Sequence, residues 1–247
     1  MIVSNIKKTK YGYNVYFDEE VVHIELSVFL DHKLKKNQII TLKQFKDIIN
    51  ENETAYIKRK AVVYVSKARS VYEFIIYLKG LNAKRELIAE LVESYKEKGY
   101  LDDKEFASSF VSRYENKYGK HKLRLLLKNK GISEEIIEDT LKYHIDKNLE
   151  FKVKTLTLRV KKDNYKKTKE TIIRRLTNLG YEINEINDLV SKYLKDNFDE
   201  EKTIKPHYEA LKRKNKDTDF IINSLLQKGF SYEIVKKIIE EDIKRNV

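Results

Sequence analysis

The chain has 247 residues, 41% hydrophobic and 36% charged, so it is long enough for one large or two small domains with a highly charged surface. It contains no cysteine, which excludes disulfides and cysteine-ligated zinc and favours a reducing compartment. Its 51 lysines and arginines outnumber 39 aspartates and glutamates, and the net charge of +12 favours a polyanionic partner such as nucleic acid.

The sequence shows no sign of secretion or membrane insertion. Residues 1–9 lack the apolar stretch of a signal peptide, and no segment reaches the roughly 18 to 20 apolar residues of a membrane span. We therefore expect a soluble, cytoplasmic protein that does not contact a membrane.

The excess of lysine has an alternative explanation besides a polyanionic partner. Codon bias could produce it, because the chain is also rich in isoleucine and asparagine.

The first fifty residues predict a small α/β cap. Apolar and polar residues alternate on both sides of the acidic segment Asp18-Glu19-Glu20, which predicts a β-hairpin. Residues 2–7 predict a third strand, and short helices are predicted over residues 27–34 and 41–50. We place the cap over residues 1–53.

From Thr54 onward the pattern is helical and repeats. Gly131, Gly180 and Gly229 are 49 residues apart, and each follows a leucine by four residues and precedes an apolar residue. Glycine adopts at little cost the left-handed conformation that ends many helices, so it marks a turn between helices. A divergent first copy is placed at Gly80, 51 residues before Gly131, with two extra residues just after it.

Capping signals predict three helices in each repeat. Ser70-Val71-Tyr72-Glu73 is a capping box, and Asp102, Ser133 and Asp217 each precede an apolar helical segment. Pro206, the only proline, indicates a helix start nearby. The predicted fold class is mainly α: four tandem three-helix repeats form an elongated, curved array behind the α/β cap. The predicted repeats cover residues 54–101, 102–148, 149–198 and 199–247.

Three sequence motifs follow one another in the first two repeats. They are Tyr64-Val65-Ser66-Lys67-Ala68-Arg69-Ser70 with Glu73, then Gly99-Tyr100-Leu101-Asp102-Asp103 with Phe106-Ala107, then Gly119, Leu126 and Lys130-Gly131-Ile132. In order and spacing this series resembles the RecX regulatory proteins. The resemblance covers residues 54–141 and is weaker beyond. It departs after Lys79-Gly80-Leu81, where residues 82–84 resemble an insertion.

The resemblance implies a regulator of the RecA recombinase that is not itself an enzyme. Similar proteins bind in the groove of the RecA filament, restrain ATP hydrolysis and strand exchange, and limit filament extension or promote disassembly. The implied setting is recombination, DNA repair and the SOS response. The implied partners are the RecA filament and single-stranded DNA, with double-stranded DNA as a second expectation. We expect a monomer without a cofactor.

The residues themselves offer no catalytic or metal site. The five histidines are scattered, and none pairs with another at a helical metal-binding spacing. The sequence has no GxxxxGK loop for cradling phosphates, so ATP hydrolysis in this system belongs to the partner.

Three basic clusters are the candidate contacts to DNA and the RecA filament. They lie within Lys58–Arg69, Asn116–Gly131 and Arg159–Arg175. Lysines neutralise phosphates without reading bases, so we expect the clusters to align as one positive stripe along DNA. The alternative for each is an ordinary solvated helix face. The candidate residues are Lys58, Arg59, Lys67, Arg69, Lys117, Lys120, Lys122, Arg124, Lys128, Lys130, Lys161, Lys162, Lys166, Lys167, Arg174 and Arg175.

For some of these residues a structural role is an alternative to a nucleic-acid contact. Arg69 is either a nucleic-acid contact or a partner of Asp102 or Asp103, whose adjacent carboxylates favour capping over metal binding. Tyr118 and Tyr165 lie inside basic clusters and are candidates for stacking on bases. Other tyrosines, Tyr95, Tyr143 and Tyr193 among them, are expected to pack between helices.

Two other functions fit the composition. One is a sequence-specific, helix-turn-helix-like DNA-binding protein, although the charge is spread over several repeats and arginine supplies only 10 of the 51 basic residues. The other is a helical scaffold for an acidic protein. The salt dependence of DNA affinity separates a scaffold from a protein that contacts phosphates.

Overall fold

The computed structural model describes residues 1–144, 146, 148–160 and 164–245. Within them a three-stranded antiparallel sheet is followed by 13 helices, so the predicted mainly α fold class with a β-containing cap is confirmed. The chain divides into two compact units. One unit contains residues 1–107 and 129–136, and the other contains residues 108–128 and 137–247.

The cap is built on strands β1 (Val3–Lys8), β2 (Gly12–Phe17) and β3 (Glu20–Glu25), joined in that order. The β2–β3 hairpin turns at Asp18, whose φ is +52°. The buried face of the sheet packs with helix α1 (Leu26–Asp31) around a core that includes Phe17. The predicted hairpin and third strand are therefore confirmed.

Helix α2 (Leu42–Val65) joins the cap to the first repeat and corrects one prediction. It begins in a capping box at Thr41 and continues through residues 51–54, where the boundary between the cap and the first repeat is predicted. No glycine or proline interrupts this segment, so the helix continues. The Thr54 hydroxyl is accommodated by donating to the Asn50 carbonyl of the preceding turn at 3.1 Å. Its first half packs in the cap core and its second half in the core of the first repeat.

The remaining helices continue the groups of three that begin with α2. In the first repeat α2 packs with α3 and α4, in the third α8, α9 and α10 pack together, and in the fourth α11, α12 and α13 do so. The bounds are α3 Val71–Gly80, α4 Arg85–Glu97, α5 Asp103–Tyr114, α6 Lys120–Asn129, α7 Glu134–Leu141, α8 Leu149–Arg159, α9 Tyr165–Asn178, α10 Ile183–Asn197, α11 Glu200–Lys212, α12 Thr218–Gln227 and α13 Tyr232–Arg245.

The helix starts follow the predicted caps, with one exception. Ser70 forms its capping box, and the carboxylates of Asp102 and Asp217 accept backbone N–H groups of the helices that follow them. The prediction from Pro206 is wrong: α11 starts at the Asp199 cap, and the proline lies seven residues into the helix. An interior proline removes a helix hydrogen bond, and burial of the neighbouring Ile204 and Tyr208 offsets that cost.

The turn between the second and third helix of each repeat keeps the 49-residue period, including in the first repeat. Gly131, Gly180 and Gly229 all have positive φ, as predicted. Gly80 instead closes α3, and the left-handed residue of the first repeat is Asn82 with φ +58°. Asn82 precedes Gly131 by 49 residues, so the apparent insertion is not one. Asparagine tolerates this conformation better than most residues, which is why the sequence pattern missed it.

Candidate nucleic-acid interface

Successive repeats are joined by a recurrent hydrogen bond. The start of a second helix donates to the carbonyl just before the left-handed glycine of the next repeat. The Ser70 hydroxyl donates to Lys130 O at 2.6 Å, Gly119 N donates to Leu179 O at 2.9 Å, and Asn164 Nδ2 donates to Lys228 O. We call these contacts junctions 1, 2 and 3. Basic residues of both repeats lie close to each junction in the sequence.

The junctions explain why the repeating turns require glycine. A Cβ on Gly131 would meet the Tyr72 side chain, and one on Gly180 would meet the backbone of Lys122, both closer than 3.0 Å. Gly119 is equally restricted, because its Cβ would meet Gly180 O at 2.5 Å. The glycines therefore serve both the helix turn and the close approach of the preceding repeat.

Junction 1 is formed largely by the motif residues of the first two repeats. Lys130 Nζ lies 2.5 Å from a Glu73 carboxylate oxygen, and Val71 N donates to the Asp103 carboxylate at 2.9 Å. Burial raises the pKa of Asp103, and the hydrogen bond from Val71 opposes that rise. Asp102 caps its own helix. These contacts are structural, so this part of the motif series joins repeats.

Arg69 lies at junction 1, next to Ser70, and the structure does not pair it with either of the two aspartates that were its alternative partners. Among the described residues it has no ion pair with Asp102 or Asp103. Its guanidinium lies 4.6 Å from the centre of the Tyr64 ring, and its buried Nε lacks a hydrogen-bond partner there. The arginine is thus held by an aromatic face.

Junction 2 brings the second and third basic clusters together. Lys117 lies in the turn before α6, Lys120 and Lys122 lie in its first turn, and Arg174 and Arg175 lie in the last turns of α9. Gly119 N and His121 N donate to the carbonyls of Leu179 and Gly180, which holds these helix ends in contact. The side chains of Lys117, Arg174 and Arg175 are exposed. Five basic residues from two repeats therefore lie within five positions along the chain of one short backbone contact.

Junction 3 has the same construction in the last two repeats. The buried Asn164 side chain accepts from Lys167 N at 2.8 Å while donating to Lys228 O. Lys166 and Lys167 follow on the exposed surface of α9. The predicted contacts Lys161 and Lys162 lie outside the described residues.

Several predicted contacts are engaged in ion pairs within the chain. Lys58 lies 2.9 Å from Glu90, and Arg59 donates to both carboxylate oxygens of buried Glu25 at 2.7 and 2.8 Å. Arg124 pairs with Glu138 and lowers the pKa of that carboxyl. Lys130 pairs with Glu73, as described above. The side chains of Lys67 and Lys128, by contrast, are exposed.

The tyrosines in the basic clusters are only partly available. Tyr118 is half-buried beside Tyr114, with Lys117 Nζ 5.0 Å from its ring centre. Tyr165 packs edge-on against Phe198 at 5.6 Å. Of the tyrosines predicted to pack between helices, Tyr95 is buried, whereas Tyr143 is 83% exposed just beyond the end of α7. That prediction is wrong for Tyr143 because α7 ends at Leu141, before the helical face is extended.

Two features are absent from the described part of the chain. No helix there combines the length and apolar character needed to cross a bilayer. No group of three or more histidine, aspartate or glutamate side chains there is arranged to hold a metal ion.

Residues 102–141 match the sequence model described as RecX, second three-helix domain. Similarity to curated proteins extends further. The chain is 25% identical over 256 residues to a protein of Streptococcus agalactiae named Regulatory protein RecX, covering 98% of this chain and 99% of that protein. A protein of the same name from Bacillus pumilus is 29% identical, covering 92% and 93%.

Two solved structures have a similar fold. One is a crystal structure of regulatory protein RecX. It aligns with a TM-score of 0.51 at 22% identity, covering 77% of this chain and 98% of that one. The other, RecX from Lactobacillus salivarius, aligns with a TM-score of 0.52 at 25% identity, covering 58% and 97%. The helical-repeat fold is therefore shared.

Proposed function

This chain belongs to the RecX family of regulatory proteins, and from that premise we propose that it binds the RecA filament on single-stranded DNA and inhibits it. The inhibited activities are ATP hydrolysis, strand exchange and filament extension. The chain acts by binding and not by catalysis, as a cytoplasmic monomer in recombination and DNA repair. Junction 2 is the observation that carries the proposal.

The basic residues of junction 2 contact DNA phosphates within the filament. Exposed Lys117 lies in the turn before α6 and exposed Arg174 and Arg175 lie near the end of α9, and backbone hydrogen bonds join these two segments. Each phosphate that they neutralise releases counterions, which gives affinity without base recognition. A regulator of a filament on arbitrary sequences needs this kind of contact. The alignment of all three clusters along one stripe stays a prediction.

The test uses the RecA ATPase in the presence of single-stranded DNA and increasing amounts of this protein. The variant carries Lys117→Glu, Arg174→Glu and Arg175→Glu, three exposed residues whose reversal leaves the junction backbone intact. Arg124 and Lys122 are left unchanged, because Arg124 pairs with Glu138 and Lys122 packs against Gly180. The matched control reverses three exposed cap lysines, Lys35, Lys36 and Lys43.

We expect the unchanged protein and the cap control to inhibit ATP hydrolysis at less than one copy per RecA. The junction variant should require at least tenfold more protein. Equal inhibition by all three proteins would remove junction 2 from the mechanism. Absence of inhibition by the unchanged protein at equimolar RecA would contradict the proposed function itself.

A further inference from the structure

A second group of aromatic and basic residues lies where the turn between β1 and β2 meets α2, and its Lys60 belongs to the first basic cluster. The turn between β1 and β2 carries Lys10 and Tyr11, and the facing part of α2 carries Tyr56 and Lys60. Tyr11 is 48% exposed and Tyr56 is 37% exposed. We call Lys10, Tyr11, Tyr56 and Lys60 the cap platform.

Arg59 supports the two exposed rings from within the protein. Its guanidinium lies 4.4 Å from the centre of the Tyr11 ring and 5.4 Å from that of Tyr56. The guanidinium is itself fixed by two hydrogen bonds to Glu25, whose side chain is only 5% exposed. A charged group held this way has little freedom, so the two tyrosines share one rigid support.

The platform is electrostatically positive where its aromatic rings are exposed. The Lys10 ammonium, through a hydrogen bond and through its charge, lowers the pKa of Tyr11, and Arg59 and Lys60 act in the same direction. Lys60 Nζ also lies 5.4 Å from the centre of the Tyr56 ring. Exposed rings that are interleaved with flexible cations are typical of surfaces that bind single-stranded nucleic acid.

We propose that the cap platform binds single-stranded DNA by stacking unpaired bases on Tyr11 and Tyr56 while Lys10 and Lys60 contact phosphates. Bases within a duplex are already stacked on each other, so exposed rings select single strands. Stacking is tolerant of sequence because every base has a π-face. The site is independent of RecA, and its failure leaves the proposed function of junction 2 untouched.

The experiment measures binding of the full chain to fluorescein-labelled oligonucleotides by anisotropy, without RecA. One oligonucleotide is oligo(dT), and the other has the same length and phosphates but abasic sugars over most of it. The variants are Tyr11→Leu and Tyr56→Leu, with Tyr11→Phe as the conservative replacement that retains a ring. Tyr143→Leu is the matched control, because Tyr143 is exposed beside Lys142 but lies in the other compact unit.

We expect each leucine variant to lose about fivefold or more in affinity for oligo(dT) and little for the abasic strand. Tyr11→Phe and Tyr143→Leu should bind both strands as the unchanged protein does. If both leucine variants keep the full preference for bases over abasic sugars, the proposal is wrong.

Folding of each variant is checked by circular dichroism. If a leucine variant fails to fold, the unchanged protein still decides: equal affinity for oligo(dT) and the abasic strand rules out stacking. Reversal of Lys117, Arg174 and Arg175 should weaken binding to both strands by the same factor. A defect confined to phosphate contacts is thereby distinguished from a defect in stacking.

Discussion

At the scale of single residues, Arg59 shows that a basic residue in a basic cluster need not face a nucleic acid. It was predicted to contact DNA, but its Nε and Nη2 both donate to Glu25. That carboxylate lies 34 positions away and is brought to Arg59 by folding of the cap sheet against α2. Sequence spacing alone could not predict this partner, since nothing local links the two residues.

Arg59→Gln should lower the free energy of unfolding by roughly 3 kcal/mol, because it leaves the Glu25 carboxylate buried without a cation. Urea unfolding followed by circular dichroism measures the change. Lys58→Gln, which breaks the exposed pair with Glu90, should cost no more than about 1 kcal/mol. The double variant Glu25→Gln with Arg59→Gln should recover part of the loss. Equal costs for Arg59→Gln and Lys58→Gln would contradict the structural role.

At the scale of elements, local signals predicted what depends on local chemistry. The 49-residue period, the capping residues and the cap hairpin are all set by residues close in sequence, and they are confirmed. The features that the sequence predicted wrongly or did not predict depend on contacts between residues farther apart. Pro206 is tolerated inside α11 where neighbouring residues are buried, and the junction hydrogen bonds link residues about 60 positions apart.

Glycines in left-handed turns and glycines within helices should respond differently to replacement by alanine. Gly180→Ala should cost at least about 2 kcal/mol, because φ is +89° and the added Cβ would overlap the backbone of Lys122. Gly80→Ala should instead stabilise by up to about 1 kcal/mol, since Gly80 is helical and its Cβ meets open space. Thermal and urea unfolding of the two variants measure the difference. Similar stability of both would show that junction 2 does not need its glycine.

At the scale of the whole molecule, the net charge predicted a polyanionic partner but not the residues that meet it. Ion pairs with Glu25, Glu73, Glu90 and Glu138 occupy four of the predicted contacts. The pairs are formed by tertiary contacts, which a count of charges along the sequence does not contain. Among the remaining candidates, Lys117, Arg174 and Arg175 are exposed and lie close in sequence to junction 2.

The salt dependence of DNA affinity tests whether those exposed residues meet phosphates. For single strands the logarithm of affinity falls with the logarithm of salt by about 0.7 per phosphate contact, so loss of three contacts should reduce the slope by about 2. We expect this reduction for the variant reversed at Lys117, Arg174 and Arg175 and an unchanged slope for the cap control reversed at Lys35, Lys36 and Lys43. A helical scaffold for an acidic protein would show little DNA binding at any salt concentration. A helix-turn-helix-like reader would instead discriminate strongly between duplexes of different sequence, which phosphate contacts at a repeat junction do not do.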